Sequence, residues 1–192
     1  MSFSLKNNIY IEYKKSPLTQ SIQKKRITKL KKIFLPVDVY ALATRALIVA
    51  CADAVIINKQ KKLIYLAKRN VLPMKNYWTI GGRRYPGESG FESVKRNFER
   101  ETQLKISTKR FKFITQQEFI WKNRKEYPSN KGKHDIISFY AIELTPQELE
   151  FVNLELCKNE YIQASLKPFT YDQLGKIHPF LKKLHQIIFN DL

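Results

Sequence analysis

Residues 81–104 read GGRRYPGESGFESVKRNFERETQL and gather four of the chain's six glycines among carboxylates and guanidiniums. A glycine-rich bend opening into a charged helix suits two kinds of chemistry: backbone closing on phosphate oxygens, or carboxylates collecting a metal ion. From Gly82, GRRYPGES has the G-x-x-x-x-G-[K]-[ST] spacing of a phosphate-binding loop, but Glu88 stands where a lysine must face the phosphates. A carboxylate there reverses the charge the site requires, and no GxGxxG occurs, so that chemistry is excluded. The helix face is what remains. Asn97, Arg100 and Glu101 share it, because residues three and four apart are neighbours on a helix. They offer an amide, a guanidinium and one carboxylate, too little to hold several metal ions.

The surrounding pattern says what must position these residues. From Ser89 to about Leu104 the apolar Phe91, Val94 and Phe98 recur at helical spacing. Upstream, ALIVACADAVII (46–57) and KLIYLAKR (62–69) flank the polar NKQKK and predict a β-hairpin. Pro36 predicts the first turn of a helix over DVYALATRAL. Further strands are expected in 110–121 and 135–144, separated by the polar KNRKEYPSNKGKH, a loop expected to move. TPQELEF starts another helix on a Thr cap. Leu181, Leu184, Ile187 and Ile188 line one face of a closing helix, and Trp78 is expected to pack beneath the glycine-rich loop. Strands with an embedded and a terminal helix predict an α/β domain, helices on both sides of a sheet.

At 192 residues the chain is expected to hold one domain over 36–192, preceded by a basic extension over 1–35. Within the extension, Ile22, Ile27, Leu30 and Phe34 predict a short amphipathic basic helix. A net charge of +18 favours anionic partners: nucleotides, nucleic acid or an acidic membrane surface. No aromatic-plus-basic single-strand motif is present, so nucleic acid is the weaker of these. The longest apolar run, 46–57, is too short to span a bilayer and contains Asp53. Cys51 and Cys157 have no ligand spacing, which favours a reducing compartment, and the cytoplasm is expected.

The opening stretch resembles the Nudix box, G-x5-E-x7-R-E-U-x-E-E-x-G-U, where U is a bulky apolar residue. Gly82, Glu88, Arg96, Phe98, Glu101 and Leu104 fall in register, and the resemblance extends over about residues 36–172. It implies a Nudix fold, an α/β/α sandwich around a mixed β-sheet. Asn97, Arg100 and Gln103 depart from the pattern, where family members that attack phosphorus cluster carboxylates around two or three divalent cations.

The closest similarity in pattern is to the GDP-mannose mannosyl hydrolases, a branch that also lacks the Glu after the box Arg. That branch cleaves at the sugar's anomeric carbon and uses one Mg²⁺ on the departing diphosphate. The resemblance implies Gly81 and Glu101 as the Mg²⁺ ligands. It makes Arg69, Arg83, Arg96 and Tyr140 catalytic, and Asp53, Arg69 and Arg83 substrate-binding. Planar guanidiniums suit this work because they bind phosphate oxygens in pairs. The branch's Gln–His pair falls on Cys157 and Lys158 here, and an ordinary lysine is protonated near neutral pH and cannot take a proton from water. The expected ligand is a nucleotide or nucleotide sugar, and the branch tends to be dimeric, so a homodimer is expected too.

Bland roles stand beside these. Glu101 can pair with Lys105 one turn on, Arg96 can brace the loop through Glu88, and Asp53 can be a buried, hydrogen-bonded carboxyl. A domain that binds nucleotides without turnover is the alternative to an enzyme.

Overall fold

The computed structural model describes residues 35–190, so the amphipathic pattern of residues 21–34 lies outside the described residues. Helix α1 (Val37–Ala46) follows Pro36 as the sequence predicts. Strands β1 (Val49–Asn58) and β2 (Leu63–Lys68) form the expected antiparallel hairpin, with Ile57 opposite Ile64. Two short strands follow, β3 (Tyr77–Trp78) and β4 (Ile80–Arg83), and then helix α2 (Gly90–Thr102). Next come β5 (Lys112–Trp121), β6 (Lys133–Glu143) and helix α3 (Pro146–Glu155). The chain closes through β7 (Lys167–Phe169), the single turn α4 (Tyr171–Leu174) and α5 (Pro179–Asn190).

The sheet is mixed, in the order β3-β2-β1-β6-β5, with β4 added to β1 and β7 to β2. Only β1 and β6 run parallel among the described strands; the other pairs are antiparallel. Side chains of a strand alternate between faces, and β1 uses both. Val49, Cys51, Val55 and Ile57 pack with Leu181, Leu184 and Ile188 of α5. Ala52, Ala54 and Ile56 pack with Val94 and Phe98 of α2, with Val152 of α3 and with Leu156 just beyond its end. Two helical layers therefore sandwich one sheet, as expected. Each fully buried aliphatic side chain contributes about 1.5–3 kcal/mol. Asp53 lies on the α5 face of β1, the one carboxylate in an otherwise apolar stripe, and that placement opens the site.

The loop after β5 differs from its polar appearance. Arg124 within it is fully buried and donates to the Ala41 carbonyl at 2.7 Å, to Thr44 Oγ1 at 2.8 Å and to the Pro128 carbonyl at 3.3 Å. It fastens the loop to α1. Among the described residues no helix is long and apolar enough to cross a membrane.

Candidate functional site

The glycine-rich loop is shaped by Arg96. Its Nε donates to Glu88 Oε1 at 2.6 Å, and its Nη2 donates to Glu88 Oε2 at 2.7 Å and to the Arg83 carbonyl at 3.0 Å. Nη1 donates to Asn97 Oδ1 at 2.8 Å, and the guanidinium lies 3.9 Å from the Tyr85 ring centre. Burial would raise the Glu88 carboxyl, but the Arg96 hydrogen bonds outweigh it and hold the carboxyl below its ordinary range. Asn97 is buried and spends its amide on the Gly82 carbonyl at 2.8 Å and the Ala52 carbonyl at 3.3 Å. The position after the box Arg thus ties α2 to β4 and β1.

Beyond Asn97, Arg100 turns onto its own neighbour. Its Nε donates to Glu101 Oε1 at 2.8 Å, and Nη2 closes on the same oxygen. Glu101 is 1% exposed, and its Oε2 has no hydrogen-bond partner among the described residues. Burial pushes its carboxyl above the ordinary carboxylate range against the pull of Arg100. The Glu101 carbonyl accepts from the Cys157 amide at 2.8 Å, which brings the 157–161 turn to the site. Glu160 in that turn accepts from Arg69 Nη2 at 3.3 Å and from Lys125 Nζ at 2.8 Å.

Across the sheet edge, Asp53 is 5% exposed and accepts from Thr79 Oγ1 at 2.7 Å. Burial raises its carboxyl above the ordinary range, and the Thr79 bond and Arg69 oppose it. Gly81 lies directly opposite, and a Cβ there would stand 2.2 Å from Asp53 Oδ1 and 2.5 Å from its Cα. The Arg84 amide donates to the Ala50 carbonyl, so the alternation of antiparallel pairs leaves Gly81 in a non-bonded pair whose carbonyl faces away from β1.

These groups border two neighbouring hollows that share lining residues. The inner chamber, of about 230 Å³, is lined by Asp53, Arg69 and Gly81 together with Cys51, Trp78, Trp121, Lys133 and Asp135. The outer groove, of about 600 Å³, is lined by Leu35, Val37, Tyr85 and Tyr127. Tyr40, Arg83, Arg100, Lys125 and Glu126 line both, and this shared border is called the waist. Arg83 stacks between aromatic faces there, 4.6 Å from the Tyr40 ring centre and 5.5 Å from that of Tyr85. At the inner wall, Lys133 and Trp121 Nε1 approach Asp135 Oδ2 at 3.0 and 2.8 Å. Burial raises the Asp135 carboxyl against the pull of Lys133.

Of the residues singled out in the sequence, Asp53, Arg69, Gly81 and Arg83 line the inner chamber, and Glu101 touches it through Arg100. Arg96 lies behind the loop with its donors engaged. Tyr140 is elsewhere. It packs against Phe91 and Phe113 at 5.0 and 5.6 Å between ring centres, in the apolar layer shared with α2. The reason is the period of two along β6, which turns Asp135 and Ile137 to the chamber and Tyr140 to the opposite face. His134 approaches Glu118 at 3.5 Å and is not among the chamber residues. Tyr40, Arg100, Trp121, Lys125, Lys133, Asp135 and Glu160 join the site without having been assigned to the chamber from the sequence. The strand-start HDII carried the signal for Asp135, because alternation from Ile137 assigns its face.

The donor set limits what metal can be held. Among the described residues no group of three His, Cys, Asp or Glu side chains is arranged to hold an ion. A multi-ion cluster does not fit this helix, since Asn97 and Arg100 replace the carboxylates it needs. A single hard cation fits better: Glu101 Oε2 is a buried, unpartnered oxygen, and Mg²⁺ is commonly bound through one or two carboxylates with phosphate and water completing the shell.

No family model matches the sequence, and no curated protein sequence is similar to it. Solved structures do resemble the fold. A MutT Nudix hydrolase from Burkholderia pseudomallei aligns with a TM-score of 0.52 at 17% identity, over 71% of this chain and 97% of that one. A MutT protein from Methanosarcina mazei Go1 gives a TM-score of 0.52 at 16% identity, over 74% and 93% of the two chains. The E. coli dihydroneopterin triphosphate pyrophosphohydrolase gives 0.51 at 10% identity, over 74% and 96%. With its seven-stranded mixed sheet between helical layers, the chain has the fold of the Nudix hydrolases.

Proposed function

We propose that this chain is a hydrolase of nucleoside diphosphate sugars that cleaves at the anomeric carbon, in the manner of the GDP-mannose mannosyl hydrolases. The observation that supports this reading is a pair of neighbouring hollows that share Arg83 and Arg100 in their linings. A ring–diphosphate–ring molecule matches that shape, with the diphosphate at the guanidiniums and one ring on the Trp78 and Trp121 wall. Pockets for whole ligands run to about 300–1,000 Å³, and the inner chamber alone falls short of that.

In the proposed reaction a water oxygen attacks C1 of the sugar, the C1–O bond breaks, and its electron pair leaves with the diphosphate. Arg69 and Arg83 receive the developing charge as hydrogen-bond donors. The water's proton passes to a chamber carboxylate. Asp53 is the better acceptor because burial raises its carboxyl, whereas Glu160 is held by two cations. Glu101 Oε2 and the Gly81 carbonyl would hold one Mg²⁺, which would neutralise charge on the leaving diphosphate. Arg96 and Tyr140 act at a distance in this scheme: Arg96 shapes the loop, and Tyr140 packs beneath the start of α2. The cytoplasm and a homodimer belong to the same reading.

A second reading is binding without turnover. It is favoured by Arg100 occupying Glu101 Oε1 and by Lys158 where the branch carries its general base. Incubation with Mg²⁺ and a panel of nucleotide sugars separates the two. Free sugar with nucleoside diphosphate supports cleavage at carbon. Sugar phosphate with nucleoside monophosphate means attack at phosphorus and sinks the proposal. Binding with neither product selects the second reading.

A further inference from the structure

Arg100 is the most unusual residue of the site, because it puts a cation on the helix face that otherwise gathers carboxylates. We infer that Arg100 is a resident cation of the diphosphate site, so that this chain captures a nucleoside diphosphate without a divalent ion, and the Mg²⁺ of the proposed reaction serves bond breaking alone. The inference rests on the waist being the diphosphate seat.

Three observations converge on it. Arg100 is one of the few residues bordering both chambers, and its side chain is 49% exposed, open to a ligand at the waist. Its position is fixed: Nε and Nη2 both engage Glu101 Oε1, and Nη2 lies 3.1 Å from where a Cβ on Gly82 would be. A side chain at residue 82 would crowd the guanidinium. Among the described residues its Nη1 has no hydrogen-bond partner, and its two N–H donors can bind phosphate oxygens in the charge-assisted manner of a guanidinium. Replacing Glu by Arg changes the local charge by two units, as adding one divalent cation does. Arg83 also lines both hollows, and among the described residues no carboxylate lies within ion-pair distance of it, so two guanidiniums border the waist.

The test is calorimetric binding of inorganic pyrophosphate and of GDP to the full chain, in Mg²⁺ and in EDTA. The parent protein is expected to bind both probes in EDTA, with Mg²⁺ changing the Kd by less than about threefold. Arg100→Gln should weaken both probes about tenfold or more in either buffer, the loss of a charge-assisted contact. Arg100→Glu should lose binding in EDTA by at least that factor and recover it in Mg²⁺, since the pair of carboxylates at 100 and 101 can then share an ion. Thermal melts confirm that the variants fold, and Arg100→Lys should restore part of the EDTA binding if charge is what matters. Parent binding that requires Mg²⁺, or EDTA affinity unchanged in Arg100→Glu, overturns the inference. Pyrophosphate and GDP failing to bind the parent in either buffer overturns the diphosphate seat itself.

Discussion

Gly81 and Arg96 show how single residues set the site's dimensions. At Gly81 a methyl group would meet Asp53 Oδ1, Asp53 Cα and the Ala52 carbonyl within 2.2–2.6 Å, and two of those three atoms are backbone. Gly81→Ala should therefore push β4 from β1 and cost about 1–3 kcal/mol, as overpacking does. A chemical-denaturation midpoint unchanged from the parent would show that the strands give way freely. Arg96→Met removes five donor contacts and leaves the Glu88 carboxylate and the Arg83 carbonyl short of partners. It should lower stability by about 2–4 kcal/mol and weaken diphosphate binding through the loop, a result that calorimetry and a melt read separately. Much of this was legible in the residues: the Glu88–Arg96 pairing and the chamber positions of Asp53, Arg69 and Arg83 follow from spacing and resemblance. Tyr140 falls outside the chamber because resemblance along a strand fixes the strand and not the face, and one step of alternation sends a side chain to the opposite layer.

Helix α2 carries the clearest element-scale logic. It opens with a full capping box, Ser89 Oγ accepting from the Glu92 amide and the Glu92 carboxylate accepting from the Ser89 amide. It closes on Gln103 at φ 58°, the left-handed conformation that glycine adopts at least cost. The box pattern has Gly at that position, so this helix carries a strained residue where the family pattern has none. Gln103→Gly should raise stability by about 0.5–1 kcal/mol, and Ser89→Ala should lower it by about 1 kcal/mol. Opposite shifts of the two melting temperatures are the expected result; a lowered one in Gln103→Gly would show that its Nε2 bond to the Arg100 carbonyl outweighs the strain. The helices and the β1–β2 hairpin could be read from apolar periodicity because their signals are local. The loop after β5 could not. Its anchor, Arg124, finds its partners in Ala41 and Thr44, more than 75 residues away, and nothing in a polar stretch announces which cation will be buried.

At the scale of the whole molecule the excess of positive charge makes acid the informative stress. The chain holds 35 Lys and Arg against 17 Asp and Glu, so each carboxylate protonated adds to an existing imbalance and to self-repulsion. The carboxylates do not act alike. Burial raises Asp53, Glu101 and Asp135, so their ionisation opposes folding: their contribution is fullest below the ordinary carboxylate range and is lost as pH rises through their raised values. Glu148 acts in the other direction. Hydrogen bonds from Arg110, at 2.5 and 2.8 Å, lower its carboxyl from 4.5 to about 2 and join the turn before β5 to the first turn of α3. Its stabilising contribution is complete above about pH 4.5 and disappears as pH falls through about 2. Glu148→Gln keeps a side chain able to serve the capping box with Thr145 while removing the charge. The variant should melt below the parent at pH 7, and the gap should close between about pH 4.5 and pH 2. A gap that persists undiminished at pH 2 would mean that packing of the side chain, and not its pairing with Arg110, secures α3 to the sheet.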